Sequence, residues 1–526
     1  MRVKQKPVPA ADSGFASGLR RYLYFTATVT GAAIMIVEIL GAKMLSPYLG
    51  TSHFVWTAQI AITLIALACG YYMGGRLVDN SMRLGRLYAA ILIAGLYLVF
   101  SVLVRESVAY GCLKFDLAVG SLLASGFLFF VPLCLLAMVG PFLIRVLTSS
   151  VQNVGGNVGR LTALSTLGSF VGTILIGYVL IPLLPNSTTM YVTAVLLMLV
   201  AAGYFFANRE ARGGKPAAVI VLLAGAGLGY PALAHNHWQG RDVDEIFRGN
   251  SNFGMLQVLQ AKDGPERYYI NDYLIQNTYD TNEHKSISLF TYMLQGLAKV
   301  YTPRTEDVLC IGMGVGIVPM EFAREGARVE VAEINPAVVP VAAKFFDLET
   351  NKLNIHITDG RYFLSQTTNR YDAVILDAFL GDSCPSHLMT REAFTAIRRV
   401  LRPDGVLVIN TFAELEENRD FFGASLFKTL TNVFPSVFIH AARSGNTLYV
   451  AGPKAALKFV RPPDYTRVHQ SQLNDTRETY GLLREPHPDH GIVLTDDYNP
   501  VEFRDAANRE GVRKNLAERM REWQEE

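Results

Sequence analysis

Cysteine is scarce in this sequence. Its 526 residues include five cysteines and none forms a CxxC pair, so we expect neither a disulfide framework nor a cysteine-ligated metal site. The ten histidines show no HExxH spacing, and we therefore predict no metal. The formal net charge is only +2, which argues against nucleic acid as a partner. The chain is also too long for one ordinary domain.

Long apolar runs are concentrated before residue 235. The first, at residues 22–47, is long enough to cross a hydrocarbon core of about 30 Å at roughly 1.5 Å per residue. Six similar runs follow, at about 55–75, 87–104, 117–144, 161–184, 188–207 and 217–234. We predict a transmembrane domain of about seven helices over residues 1–234, in contact with a lipid bilayer. The last run is short and glycine-rich, so six spans plus a re-entrant segment is the competing count.

Two features of these runs concern packing and charge. Small residues spaced four apart, at Gly70/Gly74 and Gly168/Gly172, favour close helix packing.

Glu38 lies within the first run, where a carboxylate costs about 2.5–3.5 kcal/mol and requires a partner or a cavity. We expect Lys43 or Arg76 as its partner, with a structural pair and a substrate or proton role both open.

Basic residues predict the orientation of the membrane domain. They cluster before the first run and after the second, fourth and sixth, whereas the opposite loops hold few. By the positive-inside rule the N-terminus is cytoplasmic. With seven spans the C-terminal half is then extracytoplasmic.

A glycine-rich turn follows a short apolar run at residues 307–316, DVLCIGMGVG. The run is too brief for a helix, so it predicts a buried strand that enters a tight loop at Gly312, Gly314 and Gly316. Residues 317–324 then favour a helix. The glycines allow a ligand to approach the backbone at the N-terminus of that helix.

Acidic residues end the next three predicted strands. Glu333 lies 21 residues after Gly312, where a carboxylate can hold both ribose hydroxyls of a nucleoside. Asp359-Gly360 follows the third strand and Asp377 the fourth. Ligands of open α/β sheets bind outside the carboxyl ends of the strands, so we predict a nucleoside site formed by these residues.

The rest of the C-terminal half divides into shorter regions. Residues 235–250 are polar and predict a linker, and 251–300 alternate as a small β-hairpin domain with a connecting helix. Residues 301–526 predict the Rossmann-like domain, with further strands at 406–410, 437–441 and 447–451, the last two an antiparallel edge. The acidic segment LTDDYNPVE, at 494–502, is either a solvated loop or a lid.

On these motifs, residues 251–410 resemble the spermidine synthase family. The membrane half is similar, more loosely, to the bacterial membrane-fused proteins of that kind, through EILGAKMLSPYLG and GYYMGGRLVD. The resemblance implies a small N-terminal β domain before a methyltransferase-type Rossmann domain. It also implies transfer of an aminopropyl group from decarboxylated S-adenosylmethionine to a diamine.

Residue roles also follow from this resemblance. It implies that Glu333 binds ribose, that Asp359 and Gly360 bind adenine, and that Asp377 accepts the amine proton. Gln276 matches the glutamine that ends the hairpin strand of the family. A homodimer is left open.

The departures from the family pattern lie at the end of the site that would hold the amines. Val315 replaces an aspartate of the glycine loop, Phe253-Gly254 replaces a Tyr-Gln pair, and Tyr292 begins a helix that has lost its His-Glu. The second acid of the family's aspartate pair is displaced to Asp382. We keep Asp382 as a second catalytic candidate and Tyr292, Asp496 and Asp497 as substrate-binding candidates.

Three functions are compatible with these residues. The first is aminopropyl transfer to an amine or polyamine acceptor. The second is methyl transfer from intact S-adenosylmethionine, because an aspartate can accept the proton in either reaction. The third is a polyamine or nucleoside transporter or sensor without turnover. An extracytoplasmic C-terminal half conflicts with a nucleoside made in the cytosol.

Overall fold

The computed structural model describes residues 17–525 except 51, 149–153, 209–212, 235–239, 241, 273, 380–383 and 442–444. The chain forms two compact units, Met1–Asn236 and His237–Glu526. The first is helical, and the second combines an antiparallel sheet with an α/β sheet.

Six helices of the first unit are long and apolar enough to cross a membrane, judged by length and composition over the described residues. They are α1 Ser17–Leu49, α2 His53–Asn80, α3 Leu84–Cys112, α4 Leu117–Leu147, α5 Val154–Leu183 and α6 Asn186–Ala207. The seventh predicted span is also a helix, α7, Lys215–Ala234. Among the described residues, α7 is not one of the six helices that meet the length and composition of a membrane span, so the count of seven is not confirmed.

The predicted small-residue pairs lie where helices approach most closely. A Cβ atom added at Gly168 would overlap the carbonyl group of Thr28, and one at Gly172 would lie 2.6 Å from the carbonyl oxygen of Ala32. Both contacts join α5 to α1. Gly70 and Gly74 of α2 lie against the α4 backbone in the same way. Only glycine allows the backbones to come this near, as the sequence pattern predicted.

Glu38 is half-buried in α1. Arg76, one of its two expected partners, donates to the hydroxyl of Tyr72 on its own helix at 3.0 Å. The pairing of Glu38 with Lys43 or Arg76 stays a prediction.

The second unit begins with a five-stranded antiparallel sheet in the order β1 to β5. Its strands are β1 Val243–Ser251, β2 Gly254–Ala261, β3 Glu266–Asn271, β4 Leu274–Asp280 and β5 Lys285–Ser286. The first strand covers residues 243–250 of the segment 235–250 that we predicted to be a linker. Its polar side chains suggested a loop, but every residue of the strand except Ile246 pairs with β2.

The larger sheet has eight strands in the order β13-β11-β12-β10-β9-β6-β7-β8. They are β6 Asp307–Ile311, β7 Arg328–Glu333, β8 Asn354–Ile357, β9 Tyr371–Leu376, β10 Leu401–Thr411, β11 Ser436–Ala441, β12 Thr447–Gly452 and β13 Leu483–Arg484. Strands β6 to β10 pair in parallel, and β12 pairs antiparallel to β10 and β11. This order is that of a methyltransferase-type Rossmann fold, as predicted.

Helices connect and cover these strands. They are α8 Leu289–Tyr301, α9 Ile317–Arg324, α10 Val338–Phe345, α11 Gly360–Gln366, α12 Arg391–Val400, α13 Phe421–Val433, α14 Leu473–Gly481, α15 Val501–Arg504 and α16 Ala506–Glu525. One buried cluster packs on each face of the sheet, as expected when helices lie on both sides. The strand order reverses between β6 and β9, so the carboxyl ends of these two strands open a crevice.

Candidate active site

The glycine loop after β6 depends on a backbone conformation that favours glycine. Gly312, Gly314 and Gly316 have φ of 88°, 54° and 84°, and each lies in the left-handed region. A Cβ atom at Gly312 would also overlap the carbonyl oxygen of Asp377. The glycine therefore lets the ends of β6 and β9 approach each other at the floor of the crevice.

Glu333 ends β7 and ties this loop to the sheet. Its Oε2 accepts a hydrogen bond from Met313 N at 2.9 Å, and its Oε1 accepts one from Asn335 N at 2.7 Å. Burial raises the pKa of the carboxyl group, and the backbone N–H groups around it oppose that rise. A carboxylate has about four acceptor positions, so Glu333 keeps acceptors for a ligand.

Asp359 caps the N-terminus of α11. Its Oδ1 accepts from Arg361 N and Tyr362 N, at 2.8 and 3.0 Å. Its Oδ2 lies 2.9 Å from Nε2 of His387. Burial opposes ionisation, but the bonds from His387 and the backbone outweigh it and lower the pKa of Asp359. The carboxyl group is therefore a fixed anion at this end of the site.

Asp377 follows β9 and is held by a chain of amides. Asn410 Nδ2 donates to Asp377 Oδ1 at 3.0 Å, and Asn446 Nδ2 donates to Asn410 Oδ1 at 2.9 Å. The protein encloses the Asp377 carboxyl group except where it lines the crevice. This desolvation raises its pKa to about 6, and the bond from Asn410 partly opposes the rise. A carboxyl group with this pKa is a general base suited to neutral pH.

One cavity of about 620 Å³ brings most of the predicted site residues together. The residues that line it from the predicted set are Gln276, Gly312, Gly314, Glu333, Asp359, Gly360 and Asp377. A volume of this size is typical of a small-molecule site. The cavity wall also includes five aromatic side chains, from Phe253, Tyr269, Phe290, Phe379 and Phe412.

Other predicted site residues lie elsewhere. Gly316 is the N-cap of α9 and does not line the described wall of the cavity. The hydroxyl of Tyr292 donates to Ser286 O at 2.6 Å and accepts from His469 N at 3.2 Å, so it joins two backbone segments. Asp382 lies outside the described residues.

The acidic segment at 494–502 is a brace in the described structure. Asp496 forms an ion pair with Arg361, with Nη2 to Oδ2 at 2.8 Å, and accepts from the hydroxyl of Thr390 at 2.6 Å. Asp496 and Asp497 are both exposed, and neither lines the described cavity wall.

Three residues of the site were not predicted. His387, Asn410 and Asn446 line the cavity and contact the predicted acids. Asn410 ends the fifth predicted strand, so the same strand-end reasoning could have identified it. His387 lies on a short turn and Asn446 precedes an antiparallel strand, and neither position carries a comparable signal.

A separate group contains side chains of metal-ligating type. Atoms of Asp280, Glu283 and His469 lie within 4.8 Å of one another. Asp280 Oδ1 caps the turn that follows it, and its Oδ2 lies 3.4 Å from His469 Nε2. Turn capping and the contact between Asp280 and His469 account for this arrangement.

Comparison with known proteins gives a family match. Residues 288–442 match the model described as spermine/spermidine synthase domain. A polyamine aminopropyltransferase of Vibrio vulnificus is 34% identical over 131 residues, which cover 24% of this chain and 44% of that protein. A probable polyamine aminopropyl transferase of Bifidobacterium longum is 22% identical over 321 residues, or 57% and 70% of the two chains.

A solved structure of spermidine synthase from Thermotoga maritima covers 46% of this chain and 89% of its own. Its TM-score is 0.35 and its sequence identity is 20%. The chain spans less than half the length of the Vibrio relative. The matched residues 288–442 include Glu333, Asp359 and Asp377, which line the cavity.

Proposed function

We propose that this chain, which carries a spermine/spermidine synthase domain at residues 288–442, is an aminopropyltransferase. It would transfer the aminopropyl group of decarboxylated S-adenosylmethionine to the nitrogen of an amine or polyamine. The main support for this proposal is the position and the pKa of one aspartate. Asp377, whose pKa is raised to about 6, lies in one cavity with Glu333, Asp359 and the glycine loop.

The two outer acids would hold the nucleoside. The free acceptor positions of Glu333 suit the two ribose hydroxyls, and Asp359 with Gly360 would bind the adenine. The backbone of Gly360 lies against the side chain of Ile311 on β6, and a Cβ atom at this position would overlap that side chain. Binding at both ends of the nucleoside would fix the sulfonium with respect to Asp377.

The reaction is a displacement at carbon. The lone pair of a neutral amine attacks the carbon beside the sulfonium, and a C–N bond forms as the C–S bond breaks. The sulfur leaves with the bonding electrons as a thioether, and the nitrogen releases one proton. Asp377 would accept that proton while the cavity aligns the two reactants.

Methyl transfer from S-adenosylmethionine is the second candidate. It is favoured by Val315, which is 1% exposed and packs in the core where the resembled family has an aspartate. Without that acid a charge-assisted bond worth about 1.5–3 kcal/mol is lost, or roughly 10- to 150-fold in binding of the aminopropyl donor. A transporter or sensor would bind the same nucleosides without turnover.

Mass spectrometry of the products tests these candidates. The purified full-length protein is given both nucleosides and a mixture of polyamines. A gain of one aminopropyl group on an amine supports the proposal, a gain of one methyl group supports the second candidate, and no product with intact binding supports the third.

Asp377→Asn provides the catalytic control. It keeps the shape of the side chain but removes the base, so turnover should fall by about 10²- to 10⁴-fold while nucleoside binding persists. The exposed Asp497→Asn is the matched substitution outside the described cavity wall and should retain activity. Full activity in Asp377→Asn would assign the base to another residue, with Asp382 the next candidate.

We also propose that the first unit is embedded in a membrane with its N-terminus in the cytoplasm. Six crossing helices would return the chain to the cytoplasmic side. We propose that α7, Lys215–Ala234, which is shorter than each of these six helices, does not cross. An even count would place the second unit where the nucleoside is made.

A further inference from the structure

Asp359 has an unpredicted neighbour in the cavity, His387. Nε2 of the imidazole lies 2.9 Å from Oδ2 of the carboxylate, and both residues line the cavity wall. About half of the imidazole surface and a third of the carboxylate surface are exposed. This pair is therefore open to a bound ligand.

The acceptor positions of Asp359 can be counted. Two backbone N–H groups bind Oδ1, and the imidazole N–H of His387 binds Oδ2. A carboxylate offers about four such positions, so one remains on Oδ2. A hydrogen-bond donor on the ligand fits there. A carbonyl oxygen does not, because it and the carboxylate are both acceptors and neither carries a proton for a hydrogen bond.

The turn that carries His387 is itself held in place. Arg361 Nη1 donates to His387 O at 3.0 Å, and the guanidinium of the same residue binds Asp496. Asn499 Nδ2 donates to Ser386 O at 3.0 Å. The brace at 494–502 therefore fixes the backbone from which the imidazole reaches Asp359.

We infer that His387 is a positioning residue for the base of the nucleoside: it orients the Asp359 carboxylate so that its remaining acceptor selects a 6-amino purine over a 6-oxo purine. The inference rests on the proposed function, because it needs an S-adenosyl nucleoside in this cavity. The brace adds rigidity, which favours discrimination by hydrogen bonds.

Calorimetry with two unreactive thioether nucleosides tests the inference. S-adenosylhomocysteine carries the 6-amino base and S-inosylhomocysteine the 6-oxo base. The full-length wild type should bind the first at least about tenfold more tightly, as expected for a bond to a charged group. His387→Phe should reduce this preference to within about threefold by weakening only the adenine compound, and His387→Gln, which keeps an N–H donor, should restore part of it.

A second histidine and carboxylate pair provides the control. His356 Nε2 lies 3.1 Å from Glu330 Oε2 on β8 and β7, and neither residue lines the described cavity wall. His356→Phe should leave the preference unchanged. Melting temperatures of all variants identify any that fail to fold.

Each result bears on a different claim. If His387→Phe weakens both nucleosides equally, or neither, His387 does not position the base and the inference is overturned. If the wild type binds neither nucleoside, or Glu333→Ala leaves both affinities unchanged, the proposed function fails instead.

Discussion

We predict that Asn410 helps to set the pH at which Asp377 is ionised, and replacing Asn410 with leucine tests that role. The amide donates to Asp377 Oδ1 at 3.0 Å and so stabilises the carboxylate form. Without this bond the pKa of Asp377 should rise further above its present value of about 6. In the proposed mechanism the base is the ionised form of Asp377, so the rising limb of the pH–activity profile should move to higher pH.

The size of the change follows from the strength of the bond. A hydrogen bond to a charged group contributes about 1.5–3 kcal/mol, which corresponds to roughly 1–2 pH units. The pKa of Asp377 in Asn410→Leu should therefore lie at about 7–8. At pH 7 about nine tenths of the wild-type carboxyl groups are ionised and roughly a tenth to a half of those in the variant, so turnover should fall about 2- to 10-fold.

The assay is kcat as a function of pH with saturating substrates. The same acceptor is used for both proteins, so the ionisation of its own amine affects both profiles alike. Activity of Asn410→Leu should recover towards pH 9. Asn446→Leu is the control, because Asn446 contacts Asn410 and not the carboxylate, and its shift should be smaller. If the inflection of the kcat–pH profile is unchanged in Asn410→Leu, or moves to lower pH, then Asn410 does not lower the pKa of the catalytic base.

Three further experiments test the close contact at Gly312, the binding of the nucleoside by Glu333 and the number of membrane spans. Gly312→Ala should lower the melting temperature and abolish nucleoside binding, because a Cβ atom would overlap the carbonyl oxygen of Asp377. Gly326 has a similar φ but open space around it, so Gly326→Ala should lower the melting temperature through backbone strain and leave nucleoside binding intact. Glu333→Ala should abolish calorimetric binding of S-adenosyl nucleosides and lower the melting temperature, since two backbone N–H groups lose their acceptor; unaltered affinity would contradict the ribose role. A reporter that fluoresces only in the cytoplasm, fused after Glu526, should give a signal, and a dark reporter would indicate an odd number of spans.

The α/β fold was predictable because its strands are short apolar runs with clear ends. The central strands β6, β9 and β10 are mostly buried on both faces and are rich in apolar residues. A glycine, an acid or an asparagine lies at or next to the end of each central strand. Strand β1 was missed for the opposite reason. It lies at the edge of a sheet, six of its nine residues are only half-buried, and its polar sequence gives little alternation.

The same reasoning explains which site residues could be predicted. Parallel strands bring their carboxyl ends to one edge of the sheet, so Glu333 and Asp377 could be placed together without knowledge of the side chains. His387 reaches Asp359 from a turn 28 residues later in the chain. Its position depends on Arg361 and Asp496, which are separated by 135 residues. No periodicity records an ion pair over that distance, so Asp496 was predicted to bind substrate, and its contact with Arg361 could not be predicted.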